Sequence, residues 1–124
     1  MSIATRHKYE FAVDLETESA PTHVMHLVGV SKRVLEIGCG PGSVTRLLTQ
    51  HGQCRVTGLD VDATALEKAA SYCEAVMQAD LNSAEWPKLL VEREPFDVVV
   101  AADVLEHLYD PWTALAQMAR FIDL

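Results

Sequence analysis

Residues 34–42 read Val-Leu-Glu-Ile-Gly-Cys-Gly-Pro-Gly, an apolar strand that passes directly into a loop with glycine at every second position. Glycines there let backbone approach a ligand where a Cβ would intrude. Val44, Leu47 and Leu48 follow at helical spacing, so the loop opens a helix. Strand, glycine loop and helix in succession form the layout of a nucleotide-type cofactor site. A dinucleotide fingerprint spaces its glycines G-x-G-x-x-G. Here Gly38, Gly40 and Gly42 give G-x-G-x-G, and Glu36 stands two residues ahead of the first. A carboxylate at the mouth of the loop repels a pyrophosphate and suits an ammonium or a sulfonium.

Downstream, strands and helices alternate. Arg55 to Leu59 reads as a second strand, Ala63 to Tyr72 as a helix with Leu66, Ala69 and Ala70 inward, and Ala75 to Gln78 as a third strand. Residues 84–93 form a short connection broken at Pro87. Phe96 to Ala102 is a fourth strand, and Pro111 opens a helix through Phe121. Upstream, Pro21 starts a helix with Ser19 or Thr22 as cap and Val24, Leu27 and Val28 on one face. Tyr9 to Leu15 alternates and reads as a strand or an arm over the site. The pattern predicts one α/β domain: an N-terminal arm and helix over 1–32, then a Rossmann-like core over 33–124. Its parallel sheet has helices on both faces and strand order 3-2-1-4, and the ligand sits where the order reverses.

Two further acids fall at strand ends. Asp60 closes the second strand, 18 residues after Gly42, where a carboxylate can accept both ribose hydroxyl protons; Val61 follows it. Asp62 reads as the cap of the next helix. Asp80 closes the third strand, placed to accept from an adenine amino group while the Leu81 N–H meets a ring nitrogen. Either aspartate alone could be a turn or cap residue. Their joint placement behind an acidic glycine loop favours a ligand.

Glu36-x-Gly38-x-Gly40-x-Gly42 resembles motif I of the class I S-adenosylmethionine-dependent methyltransferases. The likeness extends from Arg33 to about Phe121. Asp60 matches the family's ribose-binding acid and Asp80 its adenine-binding acid. Phe96-Asp97-Val98-Val99-Val100 with Asp103-Val104-Leu105-Glu106-His107 is similar to its fourth motif. The resemblance implies S-adenosyl-L-methionine as cofactor, held by Glu36, Gly38, Cys39, Gly40, Gly42, Asp60, Val61, Asp80, Leu81 and Asp103. It implies methyl transfer to a small-molecule or saccharide-type acceptor, as O-methylation. The Tyr-Glu-Phe-Ala-Val-Asp-Leu segment is similar to that of bacterial methyltransferases linked to surface-polysaccharide genes.

A hydroxyl acceptor needs a base, and His107, Glu106 and Asp103 are the candidates. Asp103-x-x-Glu106-His107 also resembles the E-x-x-E-H metal cluster of small-RNA 2′-O-methyltransferases and some quinone-pathway O-methyltransferases. It departs from that cluster in its first residue and in lacking the downstream histidine, so no metal is assigned and a metal at Asp103, Glu106 and His107 stays the minority reading. His23 and His26 either face the site from the preceding helix or, the favoured reading, lie on the surface, and His51 sits near a helix C-terminus where its charge suits the dipole. Cys39, Cys54 and Cys73 show no C-x-x-C spacing and read as reduced thiols, with Cys39 open to reagents.

The 124 residues carry a net charge of −8 with scattered basic residues, which argues against a nucleic-acid surface. No apolar run of membrane-spanning length and no signal-peptide pattern occurs, which makes a cytoplasmic location the default. Family members continue with further strands, so the C-terminal strands of the full fold are expected to be missing here. An apolar fourth strand left at an edge invites pairing with a second copy. Two other readings stand beside the enzyme: a non-catalytic cofactor-binding or assembly module, and an NAD-dependent dehydrogenase. Glycine spacing and the lack of a Tyr-x-x-x-Lys pair disfavour the dehydrogenase.

Overall fold

Parallel strands need a crossover between each pair. The computed structural model describes residues 19–93 and 95–122 and shows that arrangement. In chain order come α1 (Ala20–Val28), β1 (Arg33–Ile37), α2 (Ser43–Gln50), β2 (Arg55–Asp60), α3 (Ala63–Ala69), β3 (Ala75–Gln78), β4 (Val98–Val100) and α4 (Pro111–Ala119). Three stretches of 3-10 helix intervene, at Ala70–Tyr72, Trp86–Arg93 and Leu105–His107. The four strands form one sheet in the order β3-β2-β1-β4, all parallel. The expected topology is therefore observed. The arm at Tyr9–Leu15 lies outside the described residues.

Alternate side chains of each strand feed opposite faces of the sheet. Val34, Val56 and Val100 pack with Val28 of α1 and Leu48 of α2, while Leu66 and Ala69 of α3 pack with Cys39. On the other face Leu35, Ile37 and Leu59 meet Trp86, Leu90, Phe96, Met118 and Phe121. The Trp86 indole N–H donates to Gln117 Oε1 at 3.1 Å, so its one polar atom is satisfied inside that core.

Local capping chemistry sets the helix starts. The Thr22 N–H donates to the Ser19 hydroxyl, and the N–H groups of Thr64 and Ala65 donate to Asp62 Oδ1. Asp110 caps α4 by accepting from the Thr113 N–H and hydroxyl.

Four expectations need correction. Leu27 is 86% exposed, because the inward stripe of α1 runs through Thr22, Met25 and Val28. Ala70 is also exposed: the α-helix ends at Ala69 and tightens to three residues per turn, which swings Ala70 out. Pro87 breaks nothing, since it sits in the first turn of the Trp86–Arg93 segment, where its missing N–H costs no bond. The fourth strand is three residues long, not seven. Its ladder with β1 ends at Glu36 opposite Val100, just before β1 gives way to the glycine loop. Ahead of it, Phe96 forms an isolated parallel bridge with Ile122 on the outer side, and the Phe96 N–H donates to the Phe121 carbonyl at 2.9 Å.

Candidate cofactor and acceptor site

The sheet order places the tips of β2 and β3 on one side of β1 and the tip of β4 on the other. A cavity of about 840 Å³ opens across these tips, within the range of small-ligand sites. Glu36, Gly38, Cys39, Gly40, Asp60, Val61, Asp80, Leu81, Asp103, Glu106 and His107 all line it. Residues scattered over 72 positions of sequence are thus brought to one place.

The glycine loop is held from β2. Gly38 and Cys39 both donate their N–H to the Leu59 carbonyl, at 2.8 and 3.0 Å. The Gly40 N–H donates to Asp60 Oδ2 at 2.8 Å, and the Asp62 N–H to Oδ1 at 2.9 Å. Both carboxylate oxygens of Asp60 therefore already accept one backbone bond, and each keeps a lone pair for a ligand. Gly38 has φ +69°, and a Cβ there would lie 2.6 Å from Val104 Cγ2. Gly40 differs: at φ +56° its added Cβ meets nothing within 4 Å, so the absent side chain leaves space on the cavity wall.

Gly42 is not part of that wall. It is the N-cap of α2 at φ +98°, and a Cβ there would meet Ala69 Cα and Tyr72 at 3.1 Å. The missing side chain lets α2 and α3 pack closely.

Glu36 is corrected in position. It is 4% exposed, beneath the loop rather than at its mouth, because a central strand carries it under α2. The Thr45 hydroxyl donates to Glu36 Oε1. Burial pushes the Glu36 carboxyl up to about 7; the Thr45 bond opposes this, and the Asp60 charge adds to it.

Cys39 is 6% exposed, not open to reagents. Burial, with Glu36 next in weight, pushes its thiol well above the usual range, and burial pushes that of Cys73 up to about 12. Neutral thiols are poor nucleophiles.

Asp80 Oδ1 accepts from the Asn82 N–H at 2.9 Å, and Asn82 Oδ1 accepts from the Tyr109 N–H at 2.9 Å. This ties the loop after β3 to the loop after β4. Asp103, in the loop beyond β4, stands at φ +54°, a conformation aspartate tolerates better than most residues. Leu105–His107 form a 3-10 turn, which puts His107 Nε2 3.4 Å from Glu106 Oε1 with both side chains exposed. Among the described residues no group of three or more His, Cys, Asp or Glu is arranged to hold a metal ion. His23, His26 and His51 are exposed.

Sequence reading missed Thr45, Asn82 and Val104, and the cavity wall made by Ala20, Pro21 and Val24 of α1. Thr45 carried one signal: it lies in the first turn after the loop, on the inward face of α2. For α1 the sequence offered only His23 and His26 as site-facing candidates, and both are exposed.

The family model described as methyltransferase domain matches residues 34–123. Among curated relatives, the ubiquinone biosynthesis O-methyltransferase of Stutzerimonas stutzeri (strain A1501) is 29% identical over 121 residues, covering 88% of this chain and 52% of its own. The chain thus spans about half the length of that relative. A TehB-like SAM-dependent methyltransferase from Corynebacterium glutamicum superposes with TM-score 0.62 at 25% identity, over 82% of this chain and 55% of that one. Magnesium protoporphyrin IX methyltransferase from Synechocystis PCC 6803, solved with SAM bound, gives TM-score 0.66 at 21% identity, over 83% and 53%. No helix among the described residues is long and apolar enough to cross a membrane.

Proposed function

This chain belongs to the methyltransferase-domain family, and from that premise we propose that it binds S-adenosyl-L-methionine in the strand-tip cavity and serves methyl transfer to a small-molecule hydroxyl. The observation that carries the reading is the Gly40–Asp60 hydrogen bond, which fixes a ribose-type acceptor against a loop with an open wall. Asp60 takes the ribose hydroxyls, beside exposed Val61. Asp80 takes the adenine amino group, with the Leu81 N–H on a ring nitrogen. Ser43 and Val44 in the first turn of α2 line the same cavity; N–H groups at a helix start favour a carboxylate. Asp103 supplies negative charge for the ammonium and sulfonium, and a bound cation draws Glu36, whose carboxyl is pushed up to about 7 in the unliganded chain, toward its ionised form.

When bound, the cofactor supplies a methyl group on a sulfonium, open to in-line displacement. The protein's task is alignment and exclusion of water. His107 takes the acceptor's hydroxyl proton at the imidazole, and Glu106 beside it stabilises the resulting cation. The name of the Stutzerimonas relative supports oxygen as the methylated atom; a saccharide-type hydroxyl is the narrower reading to be tested against it. Calorimetry with S-adenosylmethionine, S-adenosylhomocysteine and NAD tests the cofactor, with micromolar binding expected for the first two and none for NAD. Methyl-transfer assays on ring-hydroxyl and saccharide acceptors test the reaction.

One observation favours a second reading, a cofactor-binding module that assembles through β4. Val98 and Val99 are half-buried, and the outer edge of β4 carries the single Phe96–Ile122 bridge among the described residues. A second copy would pair there. Sedimentation showing a monomer at all concentrations would remove this reading.

A further inference from the structure

The charge on the cavity wall restricts what can enter beside the cofactor. Glu36, Asp60, Asp80, Asp103 and Glu106 line it, and among the described residues no Lys or Arg does. His107, the one other ionisable group besides the Cys39 thiol, lies 3.4 Å from the Glu106 carboxylate, so a positive charge formed there is already matched. Sites that recognise carboxylate or phosphate use guanidinium forks or ammonium groups, and the described residues of this wall supply neither. The chain's net charge of −8 adds long-range repulsion of anions.

The walls also divide by topology. Asp60 and Asp80 lie on the β2–β3 side of β1. Val104 to Leu108 follow β4 on the other side. Ala20, Pro21 and Val24 of α1, with Val44, Val104 and Leu108, give the cavity apolar surface that the nucleoside contacts do not use.

We propose that the part of the cavity bounded by the first turn of α1 and the Val104–Leu108 turn accepts a compound with an apolar face and no anionic group, and rejects carboxylate- and phosphate-bearing analogues of the same shape. The selection works by repulsion as much as by attraction: an anion would be desolvated beside Asp103 and Glu106, with no Lys or Arg among the described residues to meet it. The inference rests on the methyl-transfer reading above.

The test uses the full chain saturated with S-adenosylhomocysteine and calorimetric titration with a matched pair, 3,4-dihydroxybenzyl alcohol and 3,4-dihydroxybenzoate. The neutral member is expected to bind at least about tenfold more tightly, a modest figure for like-charge juxtaposition. Ala20 is exposed on α1, so Ala20→Arg adds a cation to the wall without disturbing the core. That variant should bind the benzoate more tightly and narrow the gap. Equal or tighter binding of the benzoate by the unaltered chain overturns the proposal. So does binding of neither member to a chain that has taken up S-adenosylhomocysteine, which leaves the cofactor reading intact. Failure to take up S-adenosylhomocysteine at all overturns the cofactor reading and this proposal with it.

Discussion

The N–H of Gly40 and the carboxylate of Asp60, twenty residues apart in sequence, meet at 2.8 Å. The aspartate proposed to accept from the ribose therefore also holds the glycine loop. Asp60→Ala should loosen both. We expect cofactor affinity to fall by about 10- to 100-fold, the scale of one charge-assisted hydrogen bond, with faster amide exchange at Gly40. Calorimetry and hydrogen exchange measure these effects. Unchanged affinity would strike Asp60 from the site.

Glu36 makes stability depend on pH in an unusual direction for a carboxylate. Its folded-state value of about 7 lies above the ordinary 4.5, so the folded chain binds the extra proton. Stability is then fully present below about pH 4.5 as far as this group is concerned, and is lost as pH rises toward 7. The loss is of the order of 3 kcal/mol. Urea titrations of the unliganded chain at pH 5 and pH 7 measure it. Glu36→Gln should flatten the slope while keeping an acceptor for Thr45.

Gly38→Ala tests the contact between the loop and the residue after Asp103. The added methyl meets Val104 at 2.6 Å on a backbone with positive φ, and a loss of about 2–4 kcal/mol is expected. Val104→Ala in the same chain should recover part of it, because the two sites share one contact. Strictly additive effects in thermal melts would contradict the clash.

Thr57 is buried on β2 at 1% exposure, and its hydroxyl has no hydrogen-bond partner. Thr57→Val keeps the shape and removes the orphaned group, so the variant should be as stable or up to about 1–2 kcal/mol more stable. A clearly destabilised Thr57→Val would show that the hydroxyl has a partner after all.

His107→Ala should lower turnover by about 10²- to 10⁴-fold, the usual share of a general base, while leaving cofactor affinity unchanged, since the role assigned to this side chain is toward the acceptor. Equal turnover in the variant would remove His107 as the base.

Much of the frame was readable in advance because it follows from local chemistry. Ser19 and Asp62 are caps whose side chains reach N–H groups two or three residues away, and an apolar run into the glycine loop marked β1. Other residues misled for equally physical reasons. Leu27 is apolar and helical yet faces out, because burial depends on which neighbours α1 meets. Pro87 punctuates many chains, but here it starts a 3-10 segment whose Trp86 and Leu90 fill the core. Arg33 looked like an ordinary strand start. In the fold its guanidinium donates to the carbonyls of Pro95 and Arg93 and lies 5.4 Å from the centre of the Phe96 ring, pinning the approach to β4.

The sequence by itself determined the order of strands and helices and the residues at the strand tips, since periodicity, capping and glycine spacing act over a few residues. Only the tertiary structure decided that Glu36 is buried and protonates near neutrality, that Asp60 grips Gly40, that Gly42 serves helix packing, and that α1 walls the cavity. Each of these depends on distance through space between segments far apart in the chain, and on the exclusion of water once they meet.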